Sequence, residues 1–144
     1  MKELVTEIEI DAAVETVWLI LMDFENYANW NPFIREISGE AKKGSQLKVY
    51  IKPSGGMGMT LRPTVVKAEA NKAFGWKGKL GVSGVFDGQH EFILEHNSSG
   101  KVRFIHREEF TGFLVPLIWP MLETNTRRGF EEMNAALKNL AEGS

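Results

Sequence analysis

The sequence predicts an α+β fold in which one curved, antiparallel β-sheet wraps around a long C-terminal helix. Over residues 117–140, apolar residues recur at steps of three and four, which is typical of an amphipathic helix. Most of the preceding chain alternates apolar and polar residues between turn sequences, which is typical of strands joined as hairpins. A helix of this length, roughly 35 Å at about 1.5 Å per residue, cannot bury its apolar stripe alone. The sheet is therefore its expected partner.

Length and composition indicate a single domain over residues 1–144. The chain is 43% hydrophobic and 25% charged, which is ordinary for a soluble globular domain, and its net charge of −2 gives no reason to expect a nucleic-acid partner. The absence of cysteine excludes disulfides and is compatible with a cytoplasmic location. No apolar run approaches the about 20 residues that span a bilayer, so we expect no stable membrane insertion. No pattern specifies an oligomeric state.

The N-terminal part is predicted to contain one strand followed by two short helices. Residues 4–10 alternate as in a half-buried strand. Asp11 is expected to cap a helix over residues 13–22, and a second short helix is expected over residues 24–28. This second helix should end before Pro32, because the residue preceding a proline is disfavoured in the helical conformation.

Six further strands are predicted before the C-terminal helix, which makes a seven-stranded sheet. Their boundaries are 33–38, 46–51, 59–69, 73–80, 86–96 and 101–111. Pro63 lacks a backbone N–H and is therefore expected at an edge or a bulge of its strand. The last two strands are long, at about 11 residues or roughly 35 Å each, and match the helix in length. The sequence Asn97-Ser98-Ser99-Gly100 predicts a tight turn between them.

The register of this last hairpin predicts which side chains face the helix. A turn centred near Ser99 pairs His90 with Glu108 and Phe92 with His106. Because side chains alternate along a strand, one face then carries His90, Phe92, Leu94, Phe104, His106, Glu108 and Phe110. The opposite face is more polar. The sequence therefore predicts a histidine and a carboxylate side by side on the apolar face of the sheet.

Two interpretations of His90 and Glu108 remain open at this point. In one, the two groups satisfy each other's hydrogen bonds inside a core or on a cavity wall. In the other, they orient a polar group of a ligand or act on it as acid and base. His106 is a third group that could hold the polar end of a ligand.

Large apolar side chains are more numerous than a thin core between one sheet and one helix requires. Each alone is explained by core packing, but together they favour an apolar chamber with a few polar groups inside. The residues expected to line this chamber are Trp18, Trp30, Phe33, Met59, Trp76, Phe86, His90, Phe92, Phe104, His106, Glu108, Phe110, Trp119, Leu122 and Thr126.

The sequence predicts no metal and no cofactor. The same register places His96 beside Val102, far from His90 and His106, so the three histidines do not form a ligand set. No glycine pattern for nucleotide binding and no G-x-S-x-G elbow is present.

The order of elements and several motifs resemble the SRPBCC superfamily, which includes the START lipid-transfer domains, the birch-pollen-allergen-like proteins and the polyketide cyclase/dehydrase group. Val17-Trp18 and Trp30-Asn31-Pro32 are two of these landmarks. Five further motifs are similar to a bacterial branch of small single-domain members: Leu61-Arg62-Pro63-Thr64, Phe74-Gly75-Trp76-Lys77-Gly78, Phe86-Asp87-Gly88-Gln89-His90-Glu91-Phe92, Glu108-Glu109-Phe110-Thr111-Gly112 and Thr126-Arg127-Arg128-Gly129-Phe130.

The resemblance covers essentially the whole chain and implies a helix-grip fold. In this fold a seven-stranded antiparallel sheet holds the terminal helix, and a tunnel between them binds lipids, sterols, polyketides or other hydrophobic molecules. Trp76, His90, Glu108 and Phe110 match positions that recur in the narrower branch. The resemblance implies no particular reaction, because one fold serves binding, transport and catalysis.

Three functional hypotheses follow. The first is a binding protein for a lipid-like or polyketide-like molecule, with His90, Glu108 and His106 at its polar end. The second is a polyketide cyclase or dehydratase in which His90 is the general base and Glu108 its partner. The third is a protein-interaction module that uses the outer face of the sheet, which the charged composition of that face disfavours.

Overall fold

The computed structural model describes residues 1–53, 55–79 and 82–143. It confirms the predicted fold class: antiparallel strands curve around a long C-terminal helix. The elements are β1 (Lys2–Ile10), α1 (Val14–Met22), a 3₁₀ turn (Phe24–Asn26), α2 (Tyr27–Trp30), β2 (Ile34–Ser38), β3 (Lys48–Ile51), β4 (Met59–Leu61), β5 (Thr64–Glu69), β6 (Ala73–Lys79), β7 (Asp87–His96), β8 (Val102–Thr111), α3 (Val115–Met121), a π-helical segment (Leu122–Thr126) and α4 (Arg127–Glu142).

The prediction of seven strands in one sheet needs correction. Within the described residues, eight strands form two sheets, one ordered β1-β8-β7-β6-β5 and the other β2-β3-β4. The single strand predicted over 59–69 is divided at Pro63, because proline cannot donate a ladder hydrogen bond. The sheets remain connected, since Leu47 N donates to Pro63 O at 2.8 Å and Val65 N donates to Ser45 O at 2.9 Å. The result is a concave wall with a bend at Pro63.

The predicted register of the last hairpin is confirmed. In β7 and β8, His90 pairs with Glu108, Phe92 with His106 and Leu94 with Phe104. All of these side chains except that of Glu108 are buried on the face that meets the helix. Leu80, predicted as the last residue of the strand before this hairpin, lies outside the described residues.

The first N-terminal helix differs from the prediction in its cap, and the second helix predicted over residues 24–28 is a 3₁₀ turn (Phe24–Asn26) followed by α2 (Tyr27–Trp30). The expected Asp11 cap is wrong: Ala13 precedes α1, and no side chain caps the helix. The backbone N–H of Asp11 instead donates to Glu142 Oε2 at 2.8 Å, which ties this connection to the end of α4. After α2, Asn31 Oδ1 accepts the N–H groups of Phe33 and Ile34 at 2.9 and 2.8 Å and fixes the turn into β2.

The C-terminal helical region begins at Val115 and ends at Glu142, slightly beyond the predicted limits on both sides. Pro120 lies inside α3, and the next segment is π-helical, with Arg127 N donating to the carbonyl of Leu122 five residues earlier. Such wide turns accommodate local breaks in the helical ladder. No described helix is long and apolar enough to cross a membrane. The buried residues of α4 are Gly129, Phe130, Met133, Asn134, Leu137 and Ala141.

Candidate functional site

The site is built around the cross-strand pair of His90 on β7 and Glu108 on β8. His90 Nδ1 lies 3.2 Å from Glu108 Oε1. The imidazole is fully buried, whereas the Glu108 side chain keeps 16% of its surface exposed. Glu108 is therefore the solvent-accessible member of the pair, and His90 is its buried partner.

A chain of hydrogen bonds continues from this pair across the interior. His90 Nε2 lies 2.7 Å from His106 Nε2, and His106 Nδ1 lies 2.9 Å from Asn134 Oδ1 on α4. Asn134 Nδ2 donates to Thr6 Oγ1 at 2.9 Å, and the Thr6 hydroxyl donates to the His106 carbonyl at 3.0 Å. Thr6, His90, His106 and Asn134 are all buried. The chain thus links β1, β7, β8 and α4 through polar groups that satisfy one another.

Aromatic rings enclose the two imidazoles. The His90 ring stacks on Trp76 with centroids 4.8 Å apart, and the His106 ring stacks on Phe130 at 3.9 Å. Burial, followed by repulsion from His90, lowers the pKa of His106 well below its ordinary value of 6.5. His106 is therefore a neutral imidazole at neutral pH.

Around the His106 ring, the space between sheet and helix in which a chamber is expected is occupied by side chains. Phe33, Phe92 and Phe104 all lie within 6.2 Å of the His106 ring, centroid to centroid, and all are fully buried. Together with Phe130 they fill the space between the centre of the sheet and α4. Around the His106 ring, the aromatic residues are therefore part of the hydrophobic core.

A cavity remains at the Glu108 end of the chain of hydrogen bonds. Its volume is about 40 Å³, enough for water but far below the roughly 300 Å³ of small-molecule sites. The lining residues are Met59, Leu61, Trp76, Gly78, Lys79, Phe86, Gly88 and Glu108. Apart from Glu108 and the exposed Lys79, their side chains are apolar or absent. The cavity is therefore an apolar recess with a carboxylate in its wall.

Gly88 makes the space that the carboxylate occupies. A Cβ atom at this position would lie 2.3 Å from Glu108 Oε2, well inside van der Waals contact. The cross-strand partner of Gly88 is Gly78 on β6, another residue of the cavity wall. The two glycines keep this part of the sheet open above the carboxylate.

A larger depression of about 430 Å³ lies between the 3₁₀ turn and the strands β2, β3 and β4. It is an open groove lined by exposed side chains such as Glu25, Glu36 and Lys48. It contains no buried polar group that would orient a ligand, so the smaller cavity at Glu108 is the better candidate site.

The structure divides the predicted site residues into three sets. Met59, Trp76, Phe86 and Glu108 line the cavity. Phe110 and Trp119 lie next to the cavity wall, because the Phe110 ring lies 5.7 Å from that of Phe86 and 6.2 Å from that of Trp119. Away from the cavity wall are Trp18, Trp30, Phe33, His90, Phe92, Phe104, His106, Leu122 and Thr126.

Two members of the hydrogen-bonded chain were missed as site residues. Asn134 lies four residues after Phe130 and three before Leu137, so a polar residue in the apolar stripe was a detectable signal. Thr6 is the hydroxyl residue at an inward position of the first strand pattern. The hydrogen-bond partners of Thr6 and Asn134 depend on how β1 and α4 pack against β8, which the sequence patterns do not specify.

Several exposed apolar side chains lie on the segments that follow β3, β6 and β8. Gly112, with φ of +119°, lets the end of β8 approach the β6–β7 connection, and Phe113 N donates to Gly84 O at 3.2 Å. We call these exposed residues the apolar rim: Met57, Met59, Val82, Phe113, Leu117 and Met121. Met59 also belongs to the cavity wall, and exposed apolar surface beside a cavity is a feature of sites that receive apolar molecules.

No group of three or more histidine, aspartate or glutamate side chains within the described ranges is placed to hold a metal ion. His96 pairs with Val102 at the far end of the hairpin.

Residues 1–142 match the family described as polyketide cyclase/dehydrase and lipid transport. No curated protein matches the chain. A START superfamily protein from Mycobacterium smegmatis is 21% identical, with a TM-score of 0.76 and coverage of 98% of this chain and 97% of that one. A hypothetical protein from Helicobacter pylori is 15% identical, with a TM-score of 0.77 over 97% and 88% of the two chains. The Zhui aromatase/cyclase from a Streptomyces species is 15% identical, with a TM-score of 0.73 over 98% and 93%. At these identities the structures share the fold.

Proposed function

This chain belongs to the polyketide cyclase/dehydrase and lipid-transport family, and on that premise we propose that it binds a hydrophobic or amphipathic small molecule in the cavity beside Glu108. The observation that carries the proposal is a partly exposed carboxylate, held by a buried imidazole, in an otherwise apolar recess. The apolar wall would supply affinity at about 25 cal/mol per Å² buried, and Glu108 would orient one polar group.

A ligand of useful size requires a wider cavity than the present 40 Å³. Met59 is the wall residue best suited to move, because its side chain is flexible and 42% exposed. Rotation of Met59 away from Phe86 would open the recess toward the apolar rim. The inner part, packed around His106 and Phe130, would stay closed.

The proposal is tested by a screen of lipids and aromatic polyketides with thermal-shift and native mass-spectrometry detection. We expect an amphipathic ligand to stabilise the protein and Met59→Ala, which enlarges the recess, to change its affinity. Met57→Ala is the matched control, because Met57 lies two residues before Met59, is 88% exposed and is not part of the cavity wall. The absence of any stabilising ligand, or equal effects of both variants, would contradict the proposal.

A second candidate function is a cyclase- or dehydratase-type reaction on a polyketide-like substrate. The favouring observation is the contact between Glu108 and His90, a carboxylate–imidazole unit at the edge of the cavity. Because both ring nitrogens of His90 contact protein groups, Glu108 would exchange the proton with the substrate, and His90 would support it. Loss of turnover with retained binding in Glu108→Gln would favour this function over simple binding.

A further inference from the structure

The hydroxyl of Thr6 determines the orientation of the Asn134 side chain. A carbonyl oxygen can only accept, so the 3.0 Å contact between Thr6 Oγ1 and the His106 carbonyl uses the one hydroxyl hydrogen of Thr6. Thr6 Oγ1 must then accept from Asn134 at 2.9 Å, which requires the amide nitrogen of Asn134 to face it. The amide oxygen is thereby directed at His106 Nδ1.

The orientation of Asn134 in turn determines the tautomers of both histidines. Because Asn134 Oδ1 only accepts, His106 Nδ1 must carry a hydrogen. Burial and the neighbouring His90 lower the pKa of His106 well below its ordinary value, so the ring is neutral and its Nε2 has no hydrogen. The 2.7 Å contact between the two Nε2 atoms therefore requires a hydrogen on His90 Nε2.

The arrangement leaves Glu108 with one oxygen in use and one facing the cavity. The 3.2 Å contact between His90 Nδ1 and Glu108 Oε1 needs one proton, carried either by the ring or by the carboxyl group. In both cases Oε2 presents lone pairs alone. Oε2 lies above Gly88 in the cavity wall, and no hydrogen bond to it is present among the described residues.

We propose that Glu108 Oε2, left as a pure acceptor while Oε1 joins the buried chain Thr6–Asn134–His106–His90, makes this cavity selective for ligands whose polar end is a neutral hydrogen-bond donor, such as a phenol or another hydroxyl. The inference rests on the proposed ligand-binding function and assigns Thr6 and Asn134 as positioning residues. A carboxylate or phosphate would place its own lone pairs against those of Oε2. An ammonium group would lose its hydration in an apolar recess. Lys79, the one cation in the described cavity wall, is exposed, so solvent screens its charge.

The hydrogen-bond chain is tested without any ligand, by ¹⁵N NMR of the histidine rings. We expect hydrogens on His90 Nε2 and His106 Nδ1 and a bare His106 Nε2, in the native chain and in Thr6→Ser. In Thr6→Val the amide of Asn134 can turn around, and a second set of tautomers should appear. A native chain with the hydrogen on His106 Nε2 and a bare Nδ1, or Thr6→Val with unchanged tautomers, would overturn the positioning role.

The selectivity is tested with three ligands that share one apolar body: a 4-alkylphenol, its methyl ether and the corresponding benzoate. Loss of the donor should weaken binding about tenfold or more, and the benzoate should bind more weakly than the phenol. If the ether or the benzoate binds as well as the phenol, the selectivity is overturned while ligand binding stands. If no member binds although the screen of lipids and polyketides finds another ligand, the selectivity is overturned and ligand binding stands. If the screen finds none either, the proposed function fails as well, and the NMR result still tests the hydrogen-bond chain.

Discussion

The imidazole of His106 lies flat against the ring of Phe130, with centroids 3.9 Å apart and 8° between the planes. This stack joins β8 to α4 at the centre of the molecule. It closes the interior on one side of the hydrogen-bonded chain and restricts a cavity to the side of Glu108. The same contact keeps His106 away from water and so maintains its neutral state.

Truncation of Phe130 is expected to be strongly destabilising. Phe130→Ala removes a fully buried ring that contacts Phe33, His90 and His106 and leaves a cavity, at a cost of about 3–5 kcal/mol. The control is Leu117→Ala, because Leu117 is 77% exposed and should cost less than about 0.5 kcal/mol. Denaturant unfolding of both variants measures the difference. Equal losses would show that Phe130 is not a core residue.

Gly129→Ala is expected to destabilise the protein although alanine favours helices. A Cβ atom at position 129 would lie 2.4 Å from Cδ1 of the buried Phe33 ring, and the overlap should cost about 1–3 kcal/mol. Ala135→Gly, at an exposed position of α4, measures the effect of helix propensity alone and should lower the free energy of unfolding by about 1 kcal/mol. Propensity alone would therefore make Gly129→Ala stabilising. A stabilised Gly129→Ala protein in thermal unfolding would mean that Phe33 moves without cost.

Gly88→Ala is expected to impair ligand binding with little loss of stability. The new Cβ would meet Glu108 Oε2, the mobile end of a partly exposed side chain, so the carboxylate should move at a cost of less than about 1 kcal/mol. Gly56→Ala is the matched control, because Gly56 lies outside the cavity wall and its Cβ would make an ordinary 3.4 Å contact with Pro53. Titration of a phenolic ligand should show weaker binding for Gly88→Ala alone. Equal affinity in the two variants would exclude Glu108 from the site.

Stability should fall as the pH falls below about 6.5, in part because of His106. Its lowered pKa keeps the folded imidazole neutral, whereas the unfolded one binds a proton below pH 6.5, so protons favour unfolding. The slope contributed by this group is at most about 1.4 kcal/mol per pH unit. The titratable group in direct contact with His106 is His90, which also contacts Glu108.

This slope is measured by urea unfolding between pH 5 and pH 7. His106→Gln should give a smaller slope than the native chain, since glutamine binds no proton. An unchanged slope would show that His106 does not resist protonation in the folded state.

Arg107 should contribute more to stability than Arg103, although both carry several ion pairs on the outer face of the sheet. Arg107 Nη1 donates to Glu91 Oε1 at 2.9 Å, and the Glu91 side chain is only 8% exposed. Arg107→Met leaves this carboxylate with Lys67 as its remaining cation, which we expect to cost about 1–3 kcal/mol.

The control for this comparison is Arg103→Met. Arg103 pairs with Glu7 and Glu95, which are about half exposed, so its loss should cost less than about 1 kcal/mol. Denaturant unfolding at low and high salt separates the two cases. If both variants lose the same stability and salt reduces both losses equally, the prediction that Arg107 contributes more than Arg103 is wrong.

Much of the hairpin that carries His90 and Glu108 could be predicted from the sequence. The turn near Ser99 and the alternation of side chains are local properties, and together they determine which residues pair across two strands. The sequence also predicts an irregularity at Pro63, where the predicted 59–69 strand is divided. Its consequence, a second sheet, depends on residues 44–47, which pair with this segment from another part of the chain.

The sequence by itself determined the element order, the fold class and the juxtaposition of His90 with Glu108, because periodicity and turns act over short distances along the chain. Only the tertiary structure decided that aromatic rings fill the interior around His106, that Asn134 and Thr6 complete its hydrogen bonds, and that open space survives beside Gly88. These features depend on how α4 is rotated and seated against β1 and β8. Contacts between residues more than a hundred positions apart, such as Thr6 and Asn134, leave no periodic pattern in the sequence.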